Sequence, residues 1–201
     1  METIKIWNDN PSEDQLQHIC SRLEKGDIMI YPTDTLYAIG CDAMNVKAIE
    51  RICRLKGINP DKTNLSIVCA SISQASEYAR IDDTGYRLMR DYTPGPFTFL
   101  FRASSRLPKA FKGRKTVGIR VPDCNLDLKL VEYLGKPLLT TSVEFDDTDY
   151  TVNPSLLAEA YQGRADFLID GGEGSTEPST IIDCTDRNPQ VLRAGKGKIE
   201  L

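Results

Sequence analysis

Apolar positions along the chain change their period repeatedly, and each change marks an element. Ile4 to Trp7 reads as a strand. Ser12-Glu13-Asp14-Gln15 has the form of a capping box, in which the serine oxygen takes a backbone N–H and the glutamine reaches back. Leu16, Ile19, Cys20 and Leu23 follow at helical spacing, and Gly26 closes that helix. Asp27 to Tyr31 predicts the next strand, Val46 to Leu55 a helix with Ile49, Ile52 and Cys53 on one face, and Leu65 to Cys69 a short buried strand. Further helices are predicted within 73–80, 83–91, 126–134 and 154–162, the last with Asn153 as its N-cap and Pro154 at its first position. Strands are predicted at 97–102, 116–121, 137–142, 166–170, 180–184 and 190–194. This mixture of lengths, punctuated by Pro and Gly, implies an α/β fold with a twisted mixed open sheet and helices packed on it, rather than a strictly doubly wound one. With no internal repeat or linker to divide it, residues 1–201 are expected to form a single domain.

Length supports that reading, since 201 residues suit one domain, and a chain of this size buries about 70–75% of the surface it exposes when unfolded. The net charge of -4, from 25 basic and 29 acidic residues, argues against wholesale coating of nucleic acid but leaves room for a local basic groove. No apolar run approaches the ~20 residues of a membrane span, and Met1 to Trp7 lacks the layout of a signal peptide. A cytoplasmic protein with no membrane partner is expected. Cys20, Cys41, Cys53, Cys69, Cys124 and Cys184 form no Cys-x-x-Cys pair and sit largely in apolar segments, as reduced core residues do. His18 is the one histidine, on a predicted helix away from any carboxylate cluster. A histidine triad and a multi-histidine zinc site are excluded by count. No protein-bound metal is expected; Mg²⁺ would arrive on the phosphates of a nucleotide substrate.

Several segments carry candidate chemistry. Neither common glycine-rich phosphate fingerprint occurs. Tyr31-Pro32-Thr33-Asp34-Thr35-Leu36-Tyr37-Ala38-Ile39-Gly40 leaves a predicted strand and sets hydroxyls and a carboxylate in a proline-rigid turn. Such strand ends are where open α/β sheets bind ligands, although a self-capped turn has the same composition. Lys56-Gly57-Ile58-Asn59-Pro60-Asp61-Lys62-Thr63-Asn64 offers two lysines and backbone N–H groups to phosphate, or simply a solvated loop after a helix. Pro94-Gly95-Pro96-Phe97-Thr98 is a rigid turn entering a strand, and Arg120 and Arg193 each stand near a strand end, where arginine can grip a carboxylate or phosphate in two-pronged fashion. Between Phe101 and Lys115 lie Arg102, Arg106, Lys109, Lys112, Arg114 and Lys115 with no acidic residue, the pattern of a polyanion site or of a solvated loop. Glu144, Asp146, Asp147 and Asp149 form an acidic run elsewhere.

In order and spacing these pieces resemble the YrdC/YciO-like family, whose best-known members are threonylcarbamoyl-adenylate synthases acting in tRNA modification. The matching pieces are Y-P-T-D-T-L-Y-A-I-G-C-D-A, K-G-x-x-P, P-G-P-F-T, G-I-R-V-P, T-T-S and P-S-T-I-I-D with V-L-R-A-G, together spanning about Asp27 to Gly195. The resemblance implies a YrdC-like fold with a basic concave face. It also implies a reaction in which L-threonine and bicarbonate give a carbamate that attacks the α-phosphate of ATP and releases pyrophosphate. Carried over position by position, it implies that Thr35, Arg120, Thr140 and Ser179 bind threonine and that Lys56, Asn64, Thr116, Ser142 and Arg193 meet the nucleotide. No covalent intermediate with the protein is implied, and Lys56 contributes phosphate electrostatics.

Departures from the family pattern point toward its YciO branch. Where the synthases show K-x-R this chain has Lys56-Gly57-Ile58, where they show S-x-N it has Ser142-Val143-Glu144, and where a histidine commonly ends N-P-L-I-V-H it has Cys69. Two expectations therefore stand side by side. One is a nucleotidyltransferase-type enzyme, a threonylcarbamoyl-adenylate synthase or a divergent relative, using ATP with Mg²⁺, L-threonine and bicarbonate. The other is a protein that binds double-stranded RNA, tRNA or the ribosome through the stripe at Arg102, Arg106, Lys109, Lys112, Arg114 and Lys115 after losing synthase activity. In the first, Thr33, Thr35, Lys56, Arg120, Ser142 and Arg193 should converge on one cleft.

Overall fold

In the computed structural model, all residues are described except Lys112, Arg114 and Glu144. The elements run β1 (Glu2–Lys5), α1 (Glu13–Glu24), β2 (Met29–Tyr31), β3 (Ala38–Asp42), α2 (Val46–Lys56), β4 (Ser66–Val68), α3 (Ile72–Tyr78), β5 (Ala79–Arg80), α4 (Asp83–Tyr92) and β6 (Phe97–Ala103). There follow a 3₁₀ turn (Lys109–Phe111), β7 (Thr116–Arg120), α5 (Asn125–Leu134), β8 (Leu138–Ser142), α6 (Thr148–Val152), α7 (Pro154–Ala160), β9 (Phe167–Asp170), β10 (Thr180–Asp183) and β11 (Gln190–Arg193). The strands form one mixed sheet in the order β1-β9-β2-β3-β8-β4-β7-β6-β10-β11, with β5 pairing on β6.

Local chemistry explains most of the boundaries. The capping box forms as the sequence predicts: Gln15 N–H donates to Ser12 Oγ at 3.3 Å, and Ser12 N–H donates to Gln15 Oε1 at 3.0 Å. Asn153 caps α7, with Pro154 in its first turn. Gly57 ends α2 in the left-handed region at φ 64°, where a side chain would be strained.

Other expectations shift. The first strand lies two residues earlier than Ile4–Trp7: its pairing with β9 runs from Glu2 opposite Phe167 to Lys5 opposite Asp170, Ile6 N–H makes the last bond to Asp170 O, and Trp7 beyond it is 70% exposed. Strand β3 begins inside the segment read as a turn and runs two residues past it, through Gly and Asp, which are poor strand formers; all five of its residues are nonetheless buried between β2 and β8. The predicted helix at 73–80 gives up Ala79 and Arg80 to a strand on β6. Residues 148–152, in and after the acidic run, form α6, whose N-cap is Asp147. All six cysteines are unpaired and buried, in line with core packing. His18 does have a carboxylate neighbour, with Nε2 3.1 Å from Glu2 Oε1.

The two faces of the sheet are covered unequally. One face sends Ile39, Ile67, Phe97, Phe99, Phe101, Val117, Ile119, Leu139 and Ile182 into a large core with α2, α3, α4 and α7. On the other face, α1 and α5 pack over Met29, Tyr31, Ala38, Val68, Leu138 and Phe167, toward the β1 side. Strand alternation carries this second face onward through Ser66, Thr98, Gly118, Arg120, Thr140, Ile181 and Arg193. There the apolar residues give way to small and polar ones, and the face becomes the floor of a cleft.

Candidate functional site

The cleft has a volume of about 280 Å³ and is lined by Lys56, Ile58, Asn64, Ser66, Thr98, Arg120, Thr140, Ser142, Ser179 and Arg193, among others. Its floor stays low because Gly118 lacks a side chain; a Cβ there would sit 2.3 Å from Ser66 Oγ and 3.0 Å from Thr98 Cγ2.

At one end stands Arg120, the last residue of β7 and 6% exposed. A charge this deep needs a partner. Asp34, from the turn between β2 and β3, supplies it through an ion pair with Nη2, and Nη2 also donates to Thr35 Oγ1 at 3.2 Å. Asp34 is itself fixed by Asp123 N–H at 3.1 Å, and its carbonyl accepts from Lys196 Nζ at 2.6 Å. Thr33 does not reach the cleft. Its hydroxyl donates to Leu36 O at 2.8 Å and accepts from Thr35 N–H at 3.0 Å, so it shapes the turn that holds Thr35 against Arg120; Thr35 is itself buried behind the guanidinium and does not line the cleft. Its side borders a separate 360 Å³ cavity with Asp9, Asp123 and Glu173.

Further hydroxyls line the same cleft as Arg120. Thr140 Oγ1 accepts from the buried Tyr31 hydroxyl at 2.8 Å, and Ser179 Oγ lies 2.9 Å from Thr98 Oγ1. Arg193, on β11, donates through Nη2 to Ser179 O at 2.9 Å and to Ser179 Oγ at 3.2 Å. Toward the other side, Lys56 Nζ donates to Ser142 O at 3.0 Å, tying the end of α2 to the end of β8. Thr116 Oγ1 donates to Asn64 Oδ1 at 2.7 Å. Thr116 borders a neighbouring cavity rather than the cleft and acts on it through Asn64.

One end of the cleft thus presents a buried guanidinium among hydroxyls, which suits a small carboxylate bearing a hydroxyl. Lysine, amide and hydroxyl groups on the other side, together with Arg193 beside Ser179, suit phosphate oxygens.

Of the residues where the family pattern is broken, Ile58 lines the cleft and packs partly on the large core. Cys69 points the other way, fully buried in that core, so its side chain has no part in the cleft. Glu144 lies outside the described residues.

The basic stripe divides. Arg102 and Lys115 border a 660 Å³ cavity with Arg80, Ser104, Ser105, Thr116, Thr185 and Asp186. Arg102 is paired with Asp186 at 3.4 Å. Arg106 instead turns to Glu77 and lies over the Tyr78 ring, 5.8 Å from its centroid. Lys109 stands in the 3₁₀ turn, and Lys112 and Arg114 lie outside the described residues.

Thr98, Ser66 and Asp34 are site residues that reading by motif left without a role. Strand alternation was the available signal for the first two, since both share a face with Arg120.

A family model named for Sua5, YciO and YrdC, and described as "Telomere recombination", matches residues 21–195. The chain belongs to the Sua5/YciO/YrdC family. It is 35% identical over 198 residues to the uncharacterized protein YciO of Escherichia coli K12, covering 97% of this chain and 96% of that one. The crystal structure of E. coli YciO superposes with a TM-score of 0.91 at 34% identity over 98% of both chains. The threonylcarbamoyl-AMP synthase of Pyrococcus abyssi is 31% identical over 86% of this chain and 52% of its own length. The structure of P. abyssi Sua5 complexed with L-threonine gives a TM-score of 0.87 at 29% identity, covering 97% of this chain and 58% of that one. The fold is therefore that of the YciO and Sua5 structures, a single α/β domain with a mixed sheet. Members of this family include threonylcarbamoyl-AMP synthases, one of them seen complexed with L-threonine. Among the described residues, no helix is long and apolar enough to cross a membrane.

Proposed function

We propose that the chain is a threonylcarbamoyl-adenylate synthase-type enzyme that uses L-threonine, bicarbonate and ATP, as a step in making threonylcarbamoyladenosine in tRNA. One observation carries this reading: Arg120, the hydroxyls of Thr140 and Ser179, and the group Lys56, Asn64, Ser142 and Arg193 line a single cleft, in a fold that in a relative is seen complexed with L-threonine.

Arg120, held by Thr35 from behind, takes the threonine carboxylate, and Thr140 and Ser179 orient its hydroxyl and amine. The neutral amine attacks the bicarbonate carbon, a C–N bond forms, and one C–O bond breaks to release water with a proton from the amine, leaving a carbamate. A carbamate oxygen attacks the α-phosphorus of ATP, a new P–O bond forms, and the bond to the β-phosphate breaks to release pyrophosphate. Mg²⁺ arrives on the triphosphate. Lys56, Asn64, Ser142 and Arg193, with Thr116 behind Asn64, hold phosphate oxygens and neutralise charge as it moves to the leaving group. Catalysis on this reading is positioning and electrostatics, without a protein nucleophile. Six unpaired thiols suit a reducing compartment, which supports the cytoplasm as its location.

Calorimetric titration with L-threonine tests the amino-acid end. Measurable binding is expected in the chain as it stands. Ser179→Ala should weaken it about tenfold, the value of one hydrogen bond to a charged or polar ligand group. Absence of binding at millimolar threonine would refute this reading.

The 660 Å³ cavity favours a second reading, binding of an RNA backbone. Arg80 joins Arg102 and Lys115 there among four hydroxyls, on the side of the sheet that also carries Thr116. Affinity for double-stranded RNA would then fall with salt, each neutralised phosphate adding roughly 0.7–0.9 to the log–log slope. Replacing Arg80, Arg102 and Lys115 by alanine should flatten that slope, and an unchanged slope would return the cavity to solvent.

A further inference from the structure

Among the described residues, the buried side-chain nitrogens and oxygens that lack a hydrogen-bond partner are Nε of Arg120 and both carboxylate oxygens of Asp127. Native interiors rarely leave such groups orphaned, and each one calls for a partner or an ordered water. These belong to two residues only, and those residues are neighbours. Arg120 closes β7, the chain turns through residues 121–124, and Asp127 is the third residue of α5, 0% exposed beneath that helix. The one orphan donor and the two orphan acceptors are complementary.

The charged and titratable groups facing Asp127 come from every element around it. They are Arg120 from β7, Asp34 from the turn after β2, Cys124 from the cap of α5, Asp9 from the loop after β1 and Tyr31 from β2. Asp34 is committed to Arg120 Nη2 and to Asp123 N–H. Asp9 is committed to the backbone N–H groups of Asn125 and Leu126. Asp127 is the carboxyl group left over, and Nε is the guanidinium edge left over.

We infer that Asp127 is a positioning residue for Arg120, its carboxyl group holding the Nε–H edge directly or through one bridging water while Asp34 and Thr35 hold Nη2. The guanidinium is then braced from two sides, which fixes the direction in which it presents its remaining donors to the cleft. The bracing has an electrostatic consequence. Burial pushes the Asp127 carboxyl well above the usual carboxylate range; the Arg120 charge pulls it back, Asp34 pushes it up again, the Cys124 thiol pulls it back, and Asp9 pushes it up. A ligand carboxylate on Arg120 would be the third carboxyl group around one guanidinium, and like charges at such distances favour keeping one of them protonated. Carboxylate binding therefore holds the proton on Asp127, and affinity falls as pH rises through the Asp127 titration. This consequence rests on the threonine reading above; the pairing itself does not.

The test follows the Arg120 Nε–H resonance by ¹H–¹⁵N NMR from about pH 5 to about pH 9, in the unliganded chain and in Asp127→Asn. The resonance should shift in a single titration that Asp127→Asn abolishes. The same titration should be read independently from the Asp127 carboxyl carbon in the unmutated chain, with a common midpoint. Separate midpoints, or an Nε–H titration unchanged in Asp127→Asn, would overturn the assignment. L-Threonine binding, measured over the same range below the titration of its own amine, should weaken by up to tenfold per pH unit above that midpoint, and Asp127→Asn should make it flat. If threonine does not bind at all, the threonine reading falls while the Nε–H result still decides the pairing.

Discussion

Arg120 and Asp34 set the terms at the scale of single residues. Their side chains are 8% and 5% exposed, and neither charge would be tolerated alone at that depth. Asp34→Ala should therefore cost about 3–5 kcal/mol in chemical denaturation, because it strands a buried guanidinium. Asp34→Asn, which keeps a hydrogen-bond acceptor, should cost less. A loss under about 1 kcal/mol in the alanine variant would mean that Arg120 has another way to be satisfied. Asp127 makes the opposite prediction. Its folded-state titration lies above its unfolded one, so between those two points the native state holds a proton that the unfolded chain has released. Stability then falls as pH rises through that window. Asp127→Asn should escape the fall, gaining on the wild type by as much as about 1.4 kcal/mol per pH unit above roughly pH 4. A constant difference between the two across pH would contradict this. Thiol reactivity belongs at this scale too. Burial raises the Cys20 and Cys184 thiols to about 12 and pushes the other four up as well. A thiol reagent should find no cysteine in the native chain and all six after denaturation.

At the scale of elements, the cleft depends on how strands and helices end. Gly57 stops α2 in a left-handed turn, which leaves Lys56 within reach of Ser142. A Cβ at position 57 would meet nothing within 4 Å, so Gly57→Ala isolates the cost of backbone strain, about 1 kcal/mol. Gly40 in β3 is different, since a Cβ there would fall 2.6 Å from Tyr31 Cε1 and 3.0 Å from Leu139 O. Gly40→Ala should displace the Tyr31 ring, weaken its hydrogen bond to Thr140 and cost about 1–3 kcal/mol. Threonine affinity should drop with it; a stability loss with affinity untouched would show that Thr140 does not need Tyr31. Much of this architecture was legible in the sequence because it rests on local signals. Ser12 and Gln15, Asn153 and Pro154, and the apolar runs of β6 and β10 each declare themselves within a few residues. Strand β3 did not, because Gly40 and Asp42 are poor strand residues, made acceptable only by close packing between β2 and β8. Nor did the two-residue β5, which exists by pairing with β6 and not by its own propensity.

At the scale of the whole molecule, the site is the part of one sheet face that α1 and α5 leave uncovered. The motifs pointed to Arg120, Thr140, Ser142 and Ser179, and the topology brings them together from strands far apart in the chain. What the motifs could not convey is which strand neighbours support them. The buried pairing of Asp34 with Arg120, the Thr98–Ser179 contact and the inward turn of Cys69 all depend on pairing between distant segments. The basic stripe shows the converse, because nearness in sequence did not become one surface. Arg106 is drawn away to Glu77, while Arg80, from an element the sequence did not predict, takes its place beside Arg102 and Lys115.

The measurement that bears on the whole molecule is incubation of the purified chain with ATP, Mg²⁺, L-threonine and bicarbonate, following pyrophosphate and threonylcarbamoyl-adenylate together. Both products should form in equal amounts, and both should require threonine and bicarbonate. Ser179→Ala should lower the rate, and Ile58→Arg, which adds a phosphate fork at the cleft wall, should raise it by about tenfold. Threonine binding without either product, in the wild type and in Ile58→Arg alike, would contradict the synthase reading and leave a cleft that holds the amino acid but does not activate it.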